Sequence, residues 1–425
     1  MFNCTETVKQ IKDGAYDQFW QQLYPQRPVE ICRERYIEAV ERFISLYGER
    51  PVILLSAPGR AEIGGNHTDH QNGRVLAAAV DLDILCVASP LDEAVVRVHS
   101  EGHPPVCVEL DDLSARESEQ GHSAALVRGI AAWLRARGYP VGGFCAYTIS
   151  DVPSGSGLSS SAAFEVAMGG LFRALYGAPV PDFQLALAGQ YAENRYFGKP
   201  CGLMDQTASA MGGLTLIDFR TPGAPVIDPI PHEQALRGLR LCVVKTGGSH
   251  AELTHEYAAI TEEMGRVAAF FGQKVLRDVE EQAFIQSIPR LRASVGDRAV
   301  LRAMHFFAEN ALVPAQAGAL ARGDATAFLD MVIQSGQSSL SCLQNVFQPA
   351  QPEEQGLALA LALSEKQLAG RGAWRVHGSG FAGTILAFAP EELQDAYRAE
   401  MEAVFGAGAC LTVLVRPSGV IAAPI

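Results

Sequence analysis

Val152–Ala167 reads VPSGSGLSSSAAFEVA, and the fold turns on how this stretch is read. Two glycines and five serines stand between a strand-like run, Phe144–Ser150, and a run of helix formers, Ser160–Leu175. Gly155 and Gly157 permit backbone angles and a closeness of approach that a side chain would block. Ser159, Ser160 and Ser161 then open the helix. The free N–H groups of a helix N-terminus, at its positive dipole end, bind anions. Serine hydroxyls add donors or a magnesium ligand. The plain alternative is a turn with a serine N-cap, but a cap needs one serine, not three after two glycines. The stretch therefore reads as a phosphate cradle. It has neither the Walker A pattern nor the Rossmann spacing.

Upstream, Gly59–Val75 reads GRAEIGGNHTDHQNGRV. Arg60, Glu62, Asn66, His67, Asp69, His70 and Asn72 crowd between the apolar runs PVILLS and VLAAAVDL. Buried polar groups are costly unless paired, so these side chains call for partners or a ligand. Downstream, YAENRYFGKPCGLMDQTAS (191–209) carries Glu193 on a helix and Asp205 in GLMDQ. Asp205 is either a structural ion-pair partner or catalytic. HGSGFAGTILAF (377–388) offers Gly378, Gly380 and Gly383 before a strand, where a tight turn is the simplest reading.

Composition narrows the class. The 425 residues are 48% hydrophobic and 19% charged, which fits a two-domain globular chain. A net charge of −13 disfavours nucleic acid or an anionic membrane as partner. Nine singly placed cysteines show no metal-site or CxxC spacing and fit reduced thiols in the cytoplasm. The N-terminus lacks an apolar signal-like region, and no apolar run is long enough to span a bilayer.

Periodicity predicts mixed α and β. Strands are expected at 52–56, 82–88, 94–99, 144–150, 214–219, 239–245, 374–376, 384–388 and 410–415. Helices are expected at 124–137, 160–175, 183–196, 251–271, 299–321, 326–335, 353–368 and 391–405. The irregular mixture suggests α+β. The Pro-rich stretch RTPGAPVIDPIPHEQ (220–234) reads as a linker or surface loop.

Together these stretches resemble the GHMP small-molecule kinases, and within them the galactokinase family. That family's GRVNLIGEHTDYNGG stands here as GRAEIGGNHTDHQNG, and P-x-G-x-G-L-S-S-S-A spans Pro153–Ala162. Its PCGIMDQ is similar to Pro200–Gln206, and GGGFGG to Gly378–Gly383. Order and spacing agree over nearly the whole chain. The resemblance implies a two-lobed α+β fold: a ribosomal-S5-like N-terminal domain, 1–210, and a ferredoxin-like C-terminal domain, 211–425, with the active site between them. It implies phosphorylation of a sugar, galactose foremost, at its anomeric hydroxyl by MgATP in a cytoplasmic monomer. Asp205 would orient the hydroxyl, and Arg60 beside it would lower the carboxyl pKa and offset phosphoryl charge. Pro153, Gly155, Ser156, Gly157, Leu158, Ser159, Ser160 and Ser161 would hold the ATP phosphates, with Ser160 and Glu193 on the metal side. Asn66, His67, Asp69, Gly202 and Tyr257 would contact the sugar.

Two departures matter. The family carries Glu before HTD, facing the sugar 6-hydroxyl, where this chain has Asn66. The change removes a charge and adds donors, which opens galacturonate as a second candidate substrate. The other departure is Ala61-Glu62 where the family often has Val-Asn; Glu62 either faces solvent or supports Arg60. The same motifs also admit a kinase of N-acetylgalactosamine or arabinose, or a non-catalytic sugar sensor.

Overall fold

The computed structural model describes residues 1–153, 155–247 and 253–424. Among these, the strands form two antiparallel-rich sheets. The larger, nine-stranded sheet comprises β1 (Phe2–Asn3), β2 (Pro51–Gly64), β3 (Arg74–Leu91), β4 (Val95–Ser100), β5 (Val106–Glu109), β6 (Gly143–Ser150), β7 (Leu214–Asp218), β8 (Val226–Pro229) and a late strand from the C-terminal tail. β2 runs for 14 residues, well beyond the expected 52–56. It passes two register shifts, at Pro58/Arg60 and Glu62/Gly64. Such bulges re-aim side chains, which is how one strand leads from core into cleft. The stretch 220–234, expected as a linker or surface loop, contributes β8, paired with β7 through Ile217 and Ile227.

The smaller sheet has the order β10 (Ala373–His377), β11 (Thr384–Pro390), β9 (Leu239–Lys245), β12 (Cys410–Val413), all neighbours antiparallel. Helices separate β9 from β10 and β11 from β12. This is the β-α-β-β-α-β, ferredoxin-like arrangement. The tail then returns to the larger sheet as β13 (Ile421–Ala422), pairing with β2 at Ser56 and Leu55.

Helices cover the outer faces. α1 (Cys4–Lys12), α2 (Asp17–Leu23) and α3 (Val29–Tyr47) were not legible from periodicity. Their Trp20, Tyr36 and Phe43 pack on Leu54, Leu85 and Val87 of β2 and β3. α4 (Ser123–Ala136), α5 (Ser160–Tyr176), α6 (Asp182–Ala192) and α7 (Met204–Met211) cover the opposite face through Leu126, Ile130, Val166 and Phe172. α8 (Thr254–Phe270), α9 (Glu281–Val295), α10 (Asp297–Ala321), α11 (Ala325–Ser338), α12 (Gly356–Leu368) and α13 (Gln394–Phe405) belong to the second half. Residues 251 and 252, where the expected helix 251–271 would begin, lie outside the described residues. Ala61, Ile63 and Leu76 of the larger sheet pack with Leu241, Val243, Leu386 and Phe388 of the smaller, so the sheets share a core.

One buried charged knot fixes the chain ends. Asp83 accepts from Arg35 of α3 (2.7 Å), Tyr24 (2.5 Å), Arg416 (3.2 Å) and Ser56. Burial alone would raise its carboxyl, but Arg35 and Arg416 hold it at about 2.

Candidate active site

Pro153 and residues 155–161, leading from β6 into α5, form one wall of a cleft of about 230 Å³ between the sheets. Ser156 is buried and donates to the Pro153 carbonyl at 2.6 Å, folding the loop on itself. Gly157 has φ +70°, and a Cβ there would lie 2.4 Å from Thr384 Oγ1, so no side chain fits. Ser159 adopts φ +56° just before α5. Left-handed non-glycine residues are costly and cluster at functional sites. Phe381, and His67 bonded to Ser379 O, share this conformation at φ +60° and +56°.

Ser159 donates its hydroxyl to Asp205, in the first turn of α7. Arg60 grips both oxygens of that carboxylate, Nε to Oδ1 at 2.7 Å and Nη2 to Oδ2 at 2.8 Å. Such bidentate pairs are strong and fix orientation as well as charge. Burial would raise the Asp205 carboxyl; Arg60 and Ser159 outweigh it and hold it below the usual range. The ionised carboxylate expected from the sequence is thus built in. Arg60 also donates Nη1 to the Gly157 carbonyl, and its backbone N–H to Leu158 O at 3.0 Å.

The opposite wall is the loop 378–384. His377 behind it accepts the Glu62 backbone N–H at Nε2 (3.0 Å), so its proton sits on Nδ1 and is shared with Thr384 Oγ1 at 3.1 Å. Burial, with Arg60 and Arg375 nearby, pushes this imidazole well below its ordinary pKa, so it stays neutral. Thr384 Oγ1 then accepts, and its own proton is free for the cleft. His377 and Thr384 escape a reading by sequence alone, although His377 opens the glycine stretch 377–388.

His67 and Tyr257 bond to the same loop, while Asp69 and Gly202 pack against each other; none of the four lines the cleft itself. His67 donates Nε2–H to Ser379 O at 3.0 Å, and burial lowers its pKa to about 4. Tyr257 donates to Gly380 O at 3.3 Å and packs its ring on Phe381. Asp69 Oδ1 accepts from His70 N at 2.9 Å, and burial, then Asp205, pushes its carboxyl up to about 6. A Cβ on Gly202 would lie 1.7 Å from Asp69 Oδ2, so glycine there makes room for the carboxylate.

Two more expected site residues sit elsewhere. Asn66 is fully buried. Its Nδ2 donates to Glu62 Oε1 (2.8 Å) and Gly378 O (2.6 Å), while its Oδ1 accepts from Asn345 Nδ2 (2.9 Å). The side chain is spent on protein groups at the joint between the sheets rather than in the cleft. Glu62 is also buried and does not face solvent; Arg375 Nη2 binds it at 2.8 Å. Burial pushes the Glu62 carboxyl up to about 7 against Arg375, Arg60 and the Asn66 amide. Glu309 Oε1 completes the cluster, accepting from Gly65 N at 2.9 Å and Ser335 Oγ at 2.6 Å.

Glu193, expected on the metal side, is buried in a π turn, Glu193–Phe197. Lys199 Nζ donates to its Oε1 at 3.2 Å and Gln206 Nε2 to its Oε2 at 3.0 Å. It does not line the cleft; Lys199 does, alongside Ser160 and Ser161.

Residues 125–213 match the model of the GHMP kinases N terminal domain, and 41–90 match the galactokinase galactose-binding signature. Over these two segments the chain is similar to the GHMP kinases. Its galactokinase signature spans β2 and the start of β3, the segment that supplies Arg60, His67 and Asp69. The fold is similar to that of Lactococcus lactis galactokinase solved with galactose (TM-score 0.77, 24% identity, covering 90% of this chain and 98% of that one). It is also similar to Methanococcus jannaschii mevalonate kinase (0.61, 13%, 86% and 98%) and L. major mevalonate kinase with R-mevalonate (0.57, 19%, 86% and 96%). The chain therefore shares the fold of these kinases. Relative to the family pattern, carboxylate and carboxamide have changed places at 62 and 66, and the two side chains touch.

Proposed function

We infer that this kinase transfers the terminal phosphoryl group of ATP to the anomeric 1-hydroxyl of galactose, giving galactose 1-phosphate and ADP. The observation that carries this reading is Asp205, held ionised by Arg60 and Ser159 at the mouth of the phosphate loop. Asp205 orients the attacking hydroxyl and takes its proton late. Residues 155–161 and the start of α5 hold the phosphates with backbone N–H groups and serine hydroxyls. Phosphoryl transfer depends mainly on such positioning and electrostatics. On the sugar side, Asp69, His67, Tyr257 and the backbone at Gly202 contact hydroxyls.

Magnesium accompanies ATP and neutralises phosphate charge. Ser160 offers it a hydroxyl on the cleft wall. Glu193 fits less well, since a lysine and an amide already occupy its oxygens. The topology supports two lobes meeting at the cleft, read as 1–210 and 211–425, with β7, β8 and β13 crossing to the first sheet. All nine cysteines are free, which supports the cytoplasm as its site. Among the described residues no helix is long and apolar enough to cross a membrane. We read the working unit as a monomer. With Asn66 turned inward, its amide donors are spent on Glu62 and Gly378 and do not reach a sugar carboxylate, which favours galactose over galacturonate. The test is ADP release by the purified chain with Mg²⁺, ATP and galactose, galacturonate, N-acetylgalactosamine, arabinose or glucose. Saturable turnover highest with galactose is expected; preference for galacturonate would overturn the substrate, and ATP hydrolysis with none of them the kinase reading.

A further inference from the structure

The cleft contains two cations that differ in how much of their hydrogen-bonding capacity remains. Arg60 spends Nε and Nη2 on Asp205 and Nη1 on the Gly157 carbonyl, so it neutralises the carboxylate more than it reaches outward. Lys199 spends one of its three protons on Glu193 at 3.2 Å. Its side chain is 63% exposed, while Glu193 beneath it is 5% exposed. Gln206, adjacent to Asp205 in α7, holds the other oxygen of Glu193. The backbone N–H of Lys199 donates to Glu193 O at 3.2 Å. Two anchors thus stand a lysine on a buried carboxylate with two donors facing the cleft, on the wall shared by Ser160 and Asp205.

We propose that Lys199 is a phosphate-binding catalytic residue that grips the terminal phosphoryl group of ATP, and that Glu193 positions the ammonium rather than ligating a metal. The inference rests on the kinase reading and deepens it. Two further observations support it. Lys199 lines the same cleft as Asp205 and Ser160, which places the ammonium at the reacting end of the nucleotide. Both Glu193 oxygens are already occupied, whereas the lysine has free valence. A compact ammonium suits a point contact with one phosphate oxygen.

The test compares full-length wild type with Lys199→Met, Lys199→Arg and Glu193→Gln, melting curves first showing each folded. Titrations use ADP and a non-hydrolysable ATP analogue, both with Mg²⁺. Lys199→Met should bind ADP within about twofold of wild type and the triphosphate analogue about 10- to 100-fold more weakly, the usual worth of a charge-assisted bond. Lys199→Arg should recover part of that loss. In turnover, Lys199→Met should lower kcat and leave the sugar KM unchanged. Glu193→Gln should reproduce a milder loss, have no added effect in a Lys199→Met background, and leave the Mg²⁺ requirement unchanged. Equal analogue binding by wild type and Lys199→Met would overturn the proposal. So would a Glu193→Gln variant whose Mg²⁺ requirement rises about tenfold while Lys199→Met is silent. If wild type turns over no sugar but Lys199→Met still separates analogue from ADP, the kinase reading fails and the phosphate clamp stands. Should Lys199→Met not fold, Lys199→Gln carries the same comparison.

Discussion

Two polar clusters grow from one strand end, and they use their residues in opposite ways. Arg60 at the cleft leaves Asp205 gripped but a third exposed, with Ser160, Lys199 and Thr384 still offering donors. Two residues further along, Glu62 leads into a sealed cluster with Asn66, Arg375 and Glu309, where the side chains are 4% exposed or less. The first cluster has spare valence and serves a ligand. The second directs its bonds to protein groups, with Glu309 Oε2 and Arg375 Nε left over but sealed from the cleft, and ties β2 to β10 and α10. A polar motif is therefore not a uniform ligand site. Part of it holds the halves together so that the rest can face the substrate.

The comparison breaks first at Asp205. Asp205→Asn should keep sugar and nucleotide binding and lose turnover by about 10²- to 10⁴-fold, the usual worth of a positioned proton acceptor. Near-normal kcat would remove Asp205 from the chemistry and with it the contrast. The sealed cluster predicts the reverse signature. Arg375→Met strands two buried carboxylates and should cost about 3–5 kcal/mol of stability. Denaturant unfolding measures it, and an unchanged midpoint would mean that the cluster is not holding the lobes.

Position 66 sharpens the division. Asn66→Glu would place a third carboxylate beside Glu62 and Glu309 with a single arginine, so stability should fall. Restoring the family arrangement with Glu62→Asn in the same chain should recover a coupling of about 0.5–3 kcal/mol. A double variant no more stable than the sum of the singles would dissolve the exchanged-pair account. The smallest effect concerns pH. Asp69 titrates near 6 because burial and Asp205 disfavour its charge. A raised folded pKa means that its contribution to stability is full below the ordinary aspartate value and lost as pH rises through about 6. The charged form that accepts sugar hydroxyls therefore appears only above that point, at some cost in stability. The kcat/KM for sugar should fall below about pH 6, and Asp69→Asn should erase that acid limb while melting higher than wild type above pH 6. An acid limb unchanged in the variant would assign it to another group.

Much of the site was legible because its chemistry is local. The glycine–serine loop, the start of α5 and the carboxylate of GLMDQ follow from backbone freedom, helix-end electrostatics and residue type. Helices α1–α3 escaped because their buried faces are mixed aromatic and polar: Trp20 and Tyr36 pack beside Arg35, whose charge is satisfied by Asp83 and Asp151 far along the chain. The length of β2 escaped because Arg60 and Glu62 look like a strand's polar end until their partners arrive. Lys199 lay in plain view within FGKPCG, but a lone lysine carries no signal without its neighbours.

By itself, then, the sequence determined the ordered set of loops and the residues able to bind phosphate and orient a hydroxyl, since these depend on side-chain chemistry and short-range backbone rules. Only the tertiary structure decided which polar residues face the cleft. Arg375 lies 313 residues from Glu62, and its buried charge draws Glu62 and Asn66 inward, because an ion pair out of water must find its partner at contact distance.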